Sequence, residues 1–125
     1  RLGLIPAVIS VVCLPKIGLT RGMEYFLTGD PFDAAAAQQM GLITAAVPAV
    51  ELDAAVGRYV HSLLLGGPRA LGEAKQLVRR VPALAMDEAF ARMGAVSAGF
   101  FASEEALEGM RAFAERRPPR WAEGI

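Results

Sequence analysis

The residues that could carry chemistry in this sequence are few and stand apart from one another. His61 is the only histidine and Cys13 the only cysteine. A catalytic histidine needs an orienting partner and a substrate at fixed distance, and no such partner can be named for His61, so a solvent-facing or structural role is favoured. Cys13 stands in an apolar stretch, which favours a buried, inert thiol over a nucleophile. Neither residue predicts a catalytic site.

Two adjacent carboxylates, Glu104 and Glu105, are the next candidates for acid–base chemistry. Adjacent positions on a helix point to different faces, so the pair is poorly placed to act on one reacting atom. Ser103 precedes them, and a hydroxyl followed by carboxylates is typical of a helix N-terminus. No group of residues has the spacing of metal ligands, and the glycines form no phosphate-binding loop. The sequence therefore predicts no metal site.

A cluster of cations near the end of the chain allows two interpretations. Arg116, Arg117 and Arg120 crowd together, and Trp121 follows them. Cations at the C-terminus of a helix are stabilised by the helix dipole, which is the simpler interpretation. A phosphate-binding patch is the alternative, because guanidinium groups form strong charge-assisted hydrogen bonds to phosphate.

Composition narrows the class of protein. Lys and Arg together number 13, as do Asp and Glu, and this balance argues against nucleic-acid or anionic-membrane binding. A single cysteine excludes an internal disulfide and fits a reducing compartment. The longest apolar run, residues 4–14, is too short to span a bilayer and lacks the features of a secretory signal. We therefore expect a cytoplasmic protein, and a first residue, Arg1, that is not methionine indicates a piece of something longer.

Helical patterns occupy most of the sequence. After an extended stretch over residues 1–5, we predict helices over residues 7–17 and 19–27, the second capped by Gly29. Asp33 is a good N-cap for a short helix through residue 40, and residues 42–47 are predicted as a strand or extended segment. Apolar stripes then predict four more helices, which cover residues 52–64, 68–81, 86–100 and 104 to about 117. Pro68 suits the first position of the second of these.

The predicted helices carry wider apolar faces than a chain of 125 residues can easily bury against itself. Buried helical faces must pack on another element, so faces left over point to a partner surface. We therefore expect this chain to pack against further polypeptide.

Three motifs, in order along the chain, give the sequence a family resemblance. Residues 2–6 read Leu-Gly-Leu-Ile-Pro, and residues 27–30 read Leu-Thr-Gly-Asp, followed by Ala34, Ala37 and Gly-Leu-Ile at 41–43. Residues 108–113 read Glu-Gly-Met-Arg-Ala-Phe, followed by Glu-Arg-Arg-Pro at 115–118. In this order and spacing the sequence resembles the C-terminal portion of enoyl-CoA hydratases and isomerases, the crotonase family. The start of the chain and its Arg-Pro-Pro-Arg ending most resemble the branch that acts on branched acyl-CoA substrates, such as methylglutaconyl-CoA hydratases.

The resemblance implies a fold and an assembly. The chain would be a mainly α fragment of the α/β spiral crotonase fold, with residues 1–48 ending the core and residues 49–125 forming the helical trimerisation region. Family members are trimers or dimers of trimers. Their backbone N–H groups polarise the thioester carbonyl, and one or two glutamates activate water and move a proton at the α-carbon. Those groups would lie upstream of Arg1, so the fragment alone should be inactive.

The resemblance also assigns four site residues in this chain. Pro6 and Ala7 would line the catalytic pocket, although many relatives have a glycine-rich run where this chain continues from Ala7. Phe113 and Arg116 would contact the adenine end of coenzyme A in a neighbouring subunit, with Arg116 where hydratases have Lys. No cofactor is expected, because coenzyme A enters as part of the substrate. Isomerisation of the double bond is the nearest alternative activity, and a non-catalytic assembly module is the alternative from another class.

Overall fold

The structure is a computed structural model that describes residues 2–125, and it contains only helices and connecting segments there. The six α-helices, in chain order, are α1 (Ala7–Thr28), α2 (Ala34–Gln39), α3 (Leu52–Leu64), α4 (Pro68–Arg80), α5 (Met86–Phe101) and α6 (Glu104–Glu115). Short 3-10 turns cover Ala49–Glu51, Val81–Ala83 and Arg120–Ala122. The mainly α prediction is confirmed. The predicted extended stretch begins at Arg1, outside the described residues, and its remainder forms no regular element.

Helix α1 consists of two helical segments that meet at a kink. Gly18 has φ 71° and ψ 173°, which lie far from the dihedral angles of an α-helix. Pro15 precedes it within the same helix. Proline removes a backbone donor and glycine permits positive φ, so the two residues together explain the break. Gly29 then ends the helix with φ 65°, and its N–H donates to the carbonyl of Tyr25 at 3.0 Å. Both predicted helices and the glycine cap are confirmed.

Helix α2 begins and ends as its sequence predicts. The Asp33 carboxylate accepts a hydrogen bond from the N–H of Ala36 at 2.8 Å, which caps the N-terminus. Gly41 follows the helix with φ 78°, and a Cβ there would lie 3.3 Å from the carbonyl oxygen of Lys16. Residues 42–47, predicted as a strand or extended segment, form no strand. This return is irregular and is held by a 2.6 Å hydrogen bond from the N–H of Ala46 to the side-chain oxygen of Gln38.

The chain divides into two compact units, Arg1–Leu52 and Asp53–Ile125. The second unit contains α3 from Asp53 onward and α4 to α6, and Pro68 occupies the first turn of α4 as predicted. The functional boundary predicted between residues 48 and 49 stays a prediction.

The side chains that are least accessible in this fold are small. Among residues 2–125, the buried hydrophobic side chains are all alanines: Ala37, Ala55, Ala112 and Ala122. Large apolar residues of α1 and α5 remain exposed, including Val8, Val11, Leu19, Met86 and Phe90. Burying such surface is the main stabilising contribution in folding and assembly, so these faces fit the expected packing against further polypeptide.

Candidate functional site

The start of α6 is fixed by a serine cap. The hydroxyl of Ser103 accepts a hydrogen bond from the N–H of Ala106 at 3.2 Å and donates one to the carbonyl of Phe100 at 2.7 Å. Glu104 and Glu105 occupy the first turn, where the helix dipole favours negative charge. The predicted helix start at Ser103 is confirmed.

Glu105 has a second role that the sequence did not predict. Its carboxylate accepts hydrogen bonds from the backbone N–H groups of Arg69 at 3.0 Å and Ala70 at 2.8 Å. These N–H groups belong to the first turn of α4, whose N-cap residue is Gly67 and offers no side-chain acceptor. Unpaired N–H groups at a helix start need an acceptor from elsewhere. The missing cap at Gly67 was the available signal, but it did not indicate which carboxylate would supply the acceptor.

The end of α6 is held by an ion-pair network centred on Glu108. Arg117 contacts both carboxylate oxygens of Glu108, with Nη1–Oε1 at 2.7 Å and Nη2–Oε2 at 3.3 Å. The backbone N–H of Arg120 donates to Oε1 at 3.2 Å, and Arg117 Nε also lies 2.6 Å from a carboxylate oxygen of Glu115. The hydrogen bond from Arg117, followed by that from Arg120, lowers the pKa of Glu108 to about 2 despite partial burial. The pKa of Arg117 is raised by the same contacts.

The segment after α6 returns to the connection between α3 and α4. The indole N–H of Trp121 donates to the carbonyl oxygen of Leu65 at 3.2 Å. A Cβ at Gly109 would lie 3.4 Å from the Trp121 ring, so this glycine lets the ring pack close to α6. The tail after Pro118 is therefore anchored within the same compact unit.

Arg116 differs from the other two arginines of the cluster. Its backbone has φ 53° and ψ 41°, and within residues 2–125 it is the only residue other than glycine with positive φ. Its guanidinium is exposed and makes no hydrogen bond or ion pair with the described part of the chain. Phe113, one turn earlier, has 87% of its surface exposed. The backbone N–H of Arg116 donates to the carbonyl of Phe113 at 3.2 Å, so the two residues lie one turn apart at the exposed end of α6. Their predicted role in binding coenzyme A stays a prediction.

Pro6 and Ala7 lie together at the start of α1, in the other compact unit. The carbonyl of Pro6 accepts from the N–H of Ser10 at 3.0 Å, and the carbonyl of Ala7 accepts from the Ser10 hydroxyl at 2.6 Å. Both residues are exposed. Their predicted role in lining a catalytic pocket stays a prediction.

The remaining candidates take the simpler interpretation. His61 is exposed on α3, as predicted for a solvent-facing histidine. Cys13 is only half-buried, so the expectation of a buried thiol is wrong in degree, because the face of α1 that carries it is largely open. Within residues 2–125 no three His, Cys, Asp or Glu side chains come close enough to hold a metal ion.

Comparison with known proteins places this geometry in a family. The family model described as enoyl-CoA hydratase/isomerase matches residues 1–124. The chain belongs to the enoyl-CoA hydratase/isomerase family. A crystal structure of an enoyl-CoA hydratase/isomerase from Marinobacter aquaeolei superposes with a TM-score of 0.89 and 32% identity, over 98% of this chain and 47% of that one. The helices correspond to the C-terminal helical region of such crotonase folds, which confirms the predicted fold class.

Two sequence relatives carry the names of different activities. An enoyl-CoA hydratase of Mycobacterium tuberculosis is 31% identical over 112 residues, which cover 90% of this chain and 42% of that protein. A carnitinyl-CoA dehydratase of Citrobacter koseri is 30% identical over 127 residues, with 97% and 48% covered. This chain of the enoyl-CoA hydratase/isomerase family thus spans about half the length of the curated relatives it matches. No helix within residues 2–125 is both long enough and apolar enough to cross a membrane.

Proposed function

We propose that this chain is the C-terminal portion of an enoyl-CoA hydratase, a lyase that adds water across the α,β-double bond of an acyl-CoA thioester. The observation that carries the proposal is the family match over residues 1–124. In this reaction a water oxygen bonds to the β-carbon and a proton is delivered to the α-carbon, while the thioester carbonyl holds the developing negative charge. We place the glutamates and the N–H donors for these steps upstream of Arg1, and Pro6 and Ala7 in the lining of the pocket.

Within this chain, the proposed contribution is recognition of the nucleotide end of coenzyme A by Phe113 and Arg116. An exposed phenyl ring offers a stacking surface for adenine. The Arg116 guanidinium is free to bind phosphate because Glu108 and Glu115 are engaged by Arg117. Residues other than glycine held at positive φ cluster at functional sites, where strain is tolerated for the sake of geometry. The left-handed backbone of Arg116 supports this assignment.

We further propose that the protein assembles as a trimer or a dimer of trimers in the cytoplasm. The exposed apolar residues of α5, such as Met86 and Phe90, support self-association. In such an assembly, Phe113 and Arg116 of one subunit would serve the pocket of its neighbour. Coenzyme A would enter only as part of the substrate, and no cofactor is proposed. We propose a place in fatty-acid or branched-chain amino acid breakdown, which the resemblance to enoyl-CoA hydratases, and to those that act on branched acyl-CoA substrates, supports.

A second activity deserves a separate test because relatives carry different names. Isomerisation of the double bond needs the same stabilised enolate as hydration, and the matched family includes both activities in its description. Dehydration, the activity in the name of the Citrobacter relative, is hydration run in reverse. Assay of the full-length protein with a 2-enoyl-CoA and a 3-enoyl-CoA separates the activities. Water addition to the first supports the hydratase, and double-bond migration in the second without hydration supports the isomerase.

The role of this chain is tested by Arg116→Ala in the full-length protein. We expect the KM for crotonyl-CoA to rise about tenfold, with kcat changed less than about twofold, because the contact is remote from the reacting carbons. Arg111→Ala is the matched control, since Arg111 is an exposed arginine of α6, the helix that Arg116 follows. An unchanged KM in Arg116→Ala would remove the residue from the site.

The isolated 125-residue chain provides the complementary test. We expect no hydration of crotonyl-CoA above the buffer rate, because the proposed catalytic glutamates are not part of it. Turnover by this chain would show that its own residues supply the catalytic groups. If the full-length protein is also inactive on every acyl-CoA tested but still oligomerises, the assembly-module alternative gains support.

A further inference from the structure

We propose that Glu105 is a positioning residue for the coenzyme A site: by capping α4 it fixes the direction of α6 and therefore the placement of Phe113 and Arg116. The inference rests on the proposed function, since it concerns how that binding pair is held. Glu105 itself would touch neither the substrate nor the reacting atoms.

The contact between Glu105 and α4 is specific and charged. Both carboxylate oxygens are used, one for the N–H of Arg69 and the other for the N–H of Ala70, and the partners stand 36 and 35 residues away in the chain. Hydrogen bonds from backbone N–H groups to a carboxylate are stronger than neutral ones, and the positive end of the α4 dipole adds to them. This one side chain therefore joins two helices at a defined point.

The surrounding sequence is adapted to that contact. Gly67 is the residue before α4, and a Cβ there would overlap the Glu105 carboxyl group. Gly67 has φ −59° and ψ 128°, which any residue adopts readily, so backbone conformation does not require glycine here. Glycine is required because the Glu105 carboxyl group occupies the space that a Cβ at position 67 would need.

The effect can reach the binding pair because α6 is a continuous helix. It runs from Glu104 to Glu115 without a break. Phe113 lies eight positions after Glu105, which corresponds to about 12 Å along the axis. A small change of tilt at the capped end therefore displaces the phenyl ring and the Arg116 guanidinium. Trp121 ties the segment after α6 to Leu65 through a separate hydrogen bond, so loss of the Glu105 cap is expected to tilt α6 rather than unfold it.

The test compares two thioesters in the full-length protein. Crotonyl-CoA carries the nucleotide, and crotonyl-pantetheine has the same reacting group without it. In Glu105→Ala we expect the KM for crotonyl-CoA to rise about fivefold to tenfold, while kcat and the KM for crotonyl-pantetheine stay within about twofold of wild type. Glu104→Ala is the control, because the neighbouring carboxylate makes no hydrogen bond with residues 2–125. Equal rises for both thioesters, or a rise for neither, would overturn the proposal.

Gly67→Ala provides a second route to the same displacement and leaves α6 unaltered in sequence. It should raise the KM for crotonyl-CoA selectively, as Glu105→Ala does. The KM of the double variant for crotonyl-CoA should be no higher than that of the more affected single variant, because both substitutions disrupt the same contact. If Glu105→Ala fails to fold, Glu105→Gln and Gly67→Ala give the same comparison. Fully additive effects would contradict a shared contact.

Arg116→Ala, measured with both thioesters, separates this inference from the proposed function. If Arg116→Ala shows no selective loss with crotonyl-CoA, the coenzyme A site itself is misplaced. If Arg116→Ala does show that loss and neither Glu105→Ala nor Gly67→Ala does, only the positioning role of Glu105 is wrong.

Discussion

Helices α5 and α6 follow each other directly in the chain and are held by different kinds of contact. The α6 region is joined to α4 by Glu105 and to the α3–α4 connection by Trp121, through hydrogen bonds between defined atoms, and Glu108 holds the segment after α6 to the helix. On α5, the one ion pair among the described residues joins Arg92 to Glu88 within the helix itself. Two of its large side chains, Met86 and Phe90, are 74% and 76% exposed.

The difference between the two helices indicates which of them is held in a defined orientation by contacts within this chain. Hydrogen bonds are directional and fix orientation, whereas apolar contact depends mainly on the area removed from water. The α6 region is therefore fixed by contacts within this chain, whereas α5 retains exposed apolar surface that the proposed assembly would bury. The proposed coenzyme A residues lie at the end of α6, and the proposed assembly surface lies on α5.

The largest expected effect comes from placing a charge on the apolar face of α5. Phe90→Asp should convert the proposed oligomer to monomer, because an unpaired charge in an apolar interface costs roughly 3–5 kcal/mol. Light scattering coupled to gel filtration of the full-length protein measures the change in mass. Asp87→Asn, one turn earlier, is the matched control and should leave the mass unaltered. An assembly that survives Phe90→Asp would show that this face is not the interface.

A smaller effect is expected from removing the charge at the centre of the α6 network. Glu108→Gln should lower the thermal stability at neutral pH, because Arg117 and Arg120 lose their shared carboxylate. The pKa of Glu108 is lowered from 4.5 to about 2 in the folded chain. Its contribution is therefore present above pH 4.5 and is lost as the pH falls towards 2. Calorimetric melting of wild type and Glu108→Gln across this range should give melting temperatures that converge at low pH. A constant difference would contradict the ion-pair explanation.

The smallest expected effect separates strain from binding at Arg116. Glycine populates positive φ without the steric cost that other residues have, so Arg116→Gly should stabilise the end of α6 by about 0.5–1 kcal/mol. It should nevertheless raise the KM for crotonyl-CoA as Arg116→Ala does. Ala114→Gly, inside the same helix, should instead destabilise it by about 0.5–1 kcal/mol. Urea unfolding curves give both values, and a loss of stability in Arg116→Gly would mean that the side chain has a structural role.

Local features of the fold were predictable because their signals lie within a few residues. Asp33 and Ser103 as N-caps, Gly29 as a C-cap and Pro68 at a helix start were all read from adjacent sequence. The irregular return at 42–47 was not, because its apolar pattern suits a strand and the short run gives no sign that it lacks a partner.

Contacts between residues far apart in the chain could not be predicted from the sequence. Glu105 meets Arg69 across 36 positions, and nothing in either local pattern names the other. The left-handed backbone of Arg116 carried no signal, because glycine is the usual residue there. Phe113 and Arg116 came from family resemblance alone, since a phenyl group and a guanidinium at a helix end also suit ordinary packing and dipole stabilisation.

The alanine core has a consequence for mutagenesis. Alanine scanning cannot probe Ala112, which has 1% of its surface accessible, because this residue is already alanine. Such a scan would pass over the four buried alanines and report mainly on open surfaces. Replacement by valine or leucine would reveal them, because added methyl groups in a closely packed site commonly cost about 1–3 kcal/mol. In this protein, replacing the buried residues by larger ones is therefore more informative about how closely they are packed than truncating side chains is.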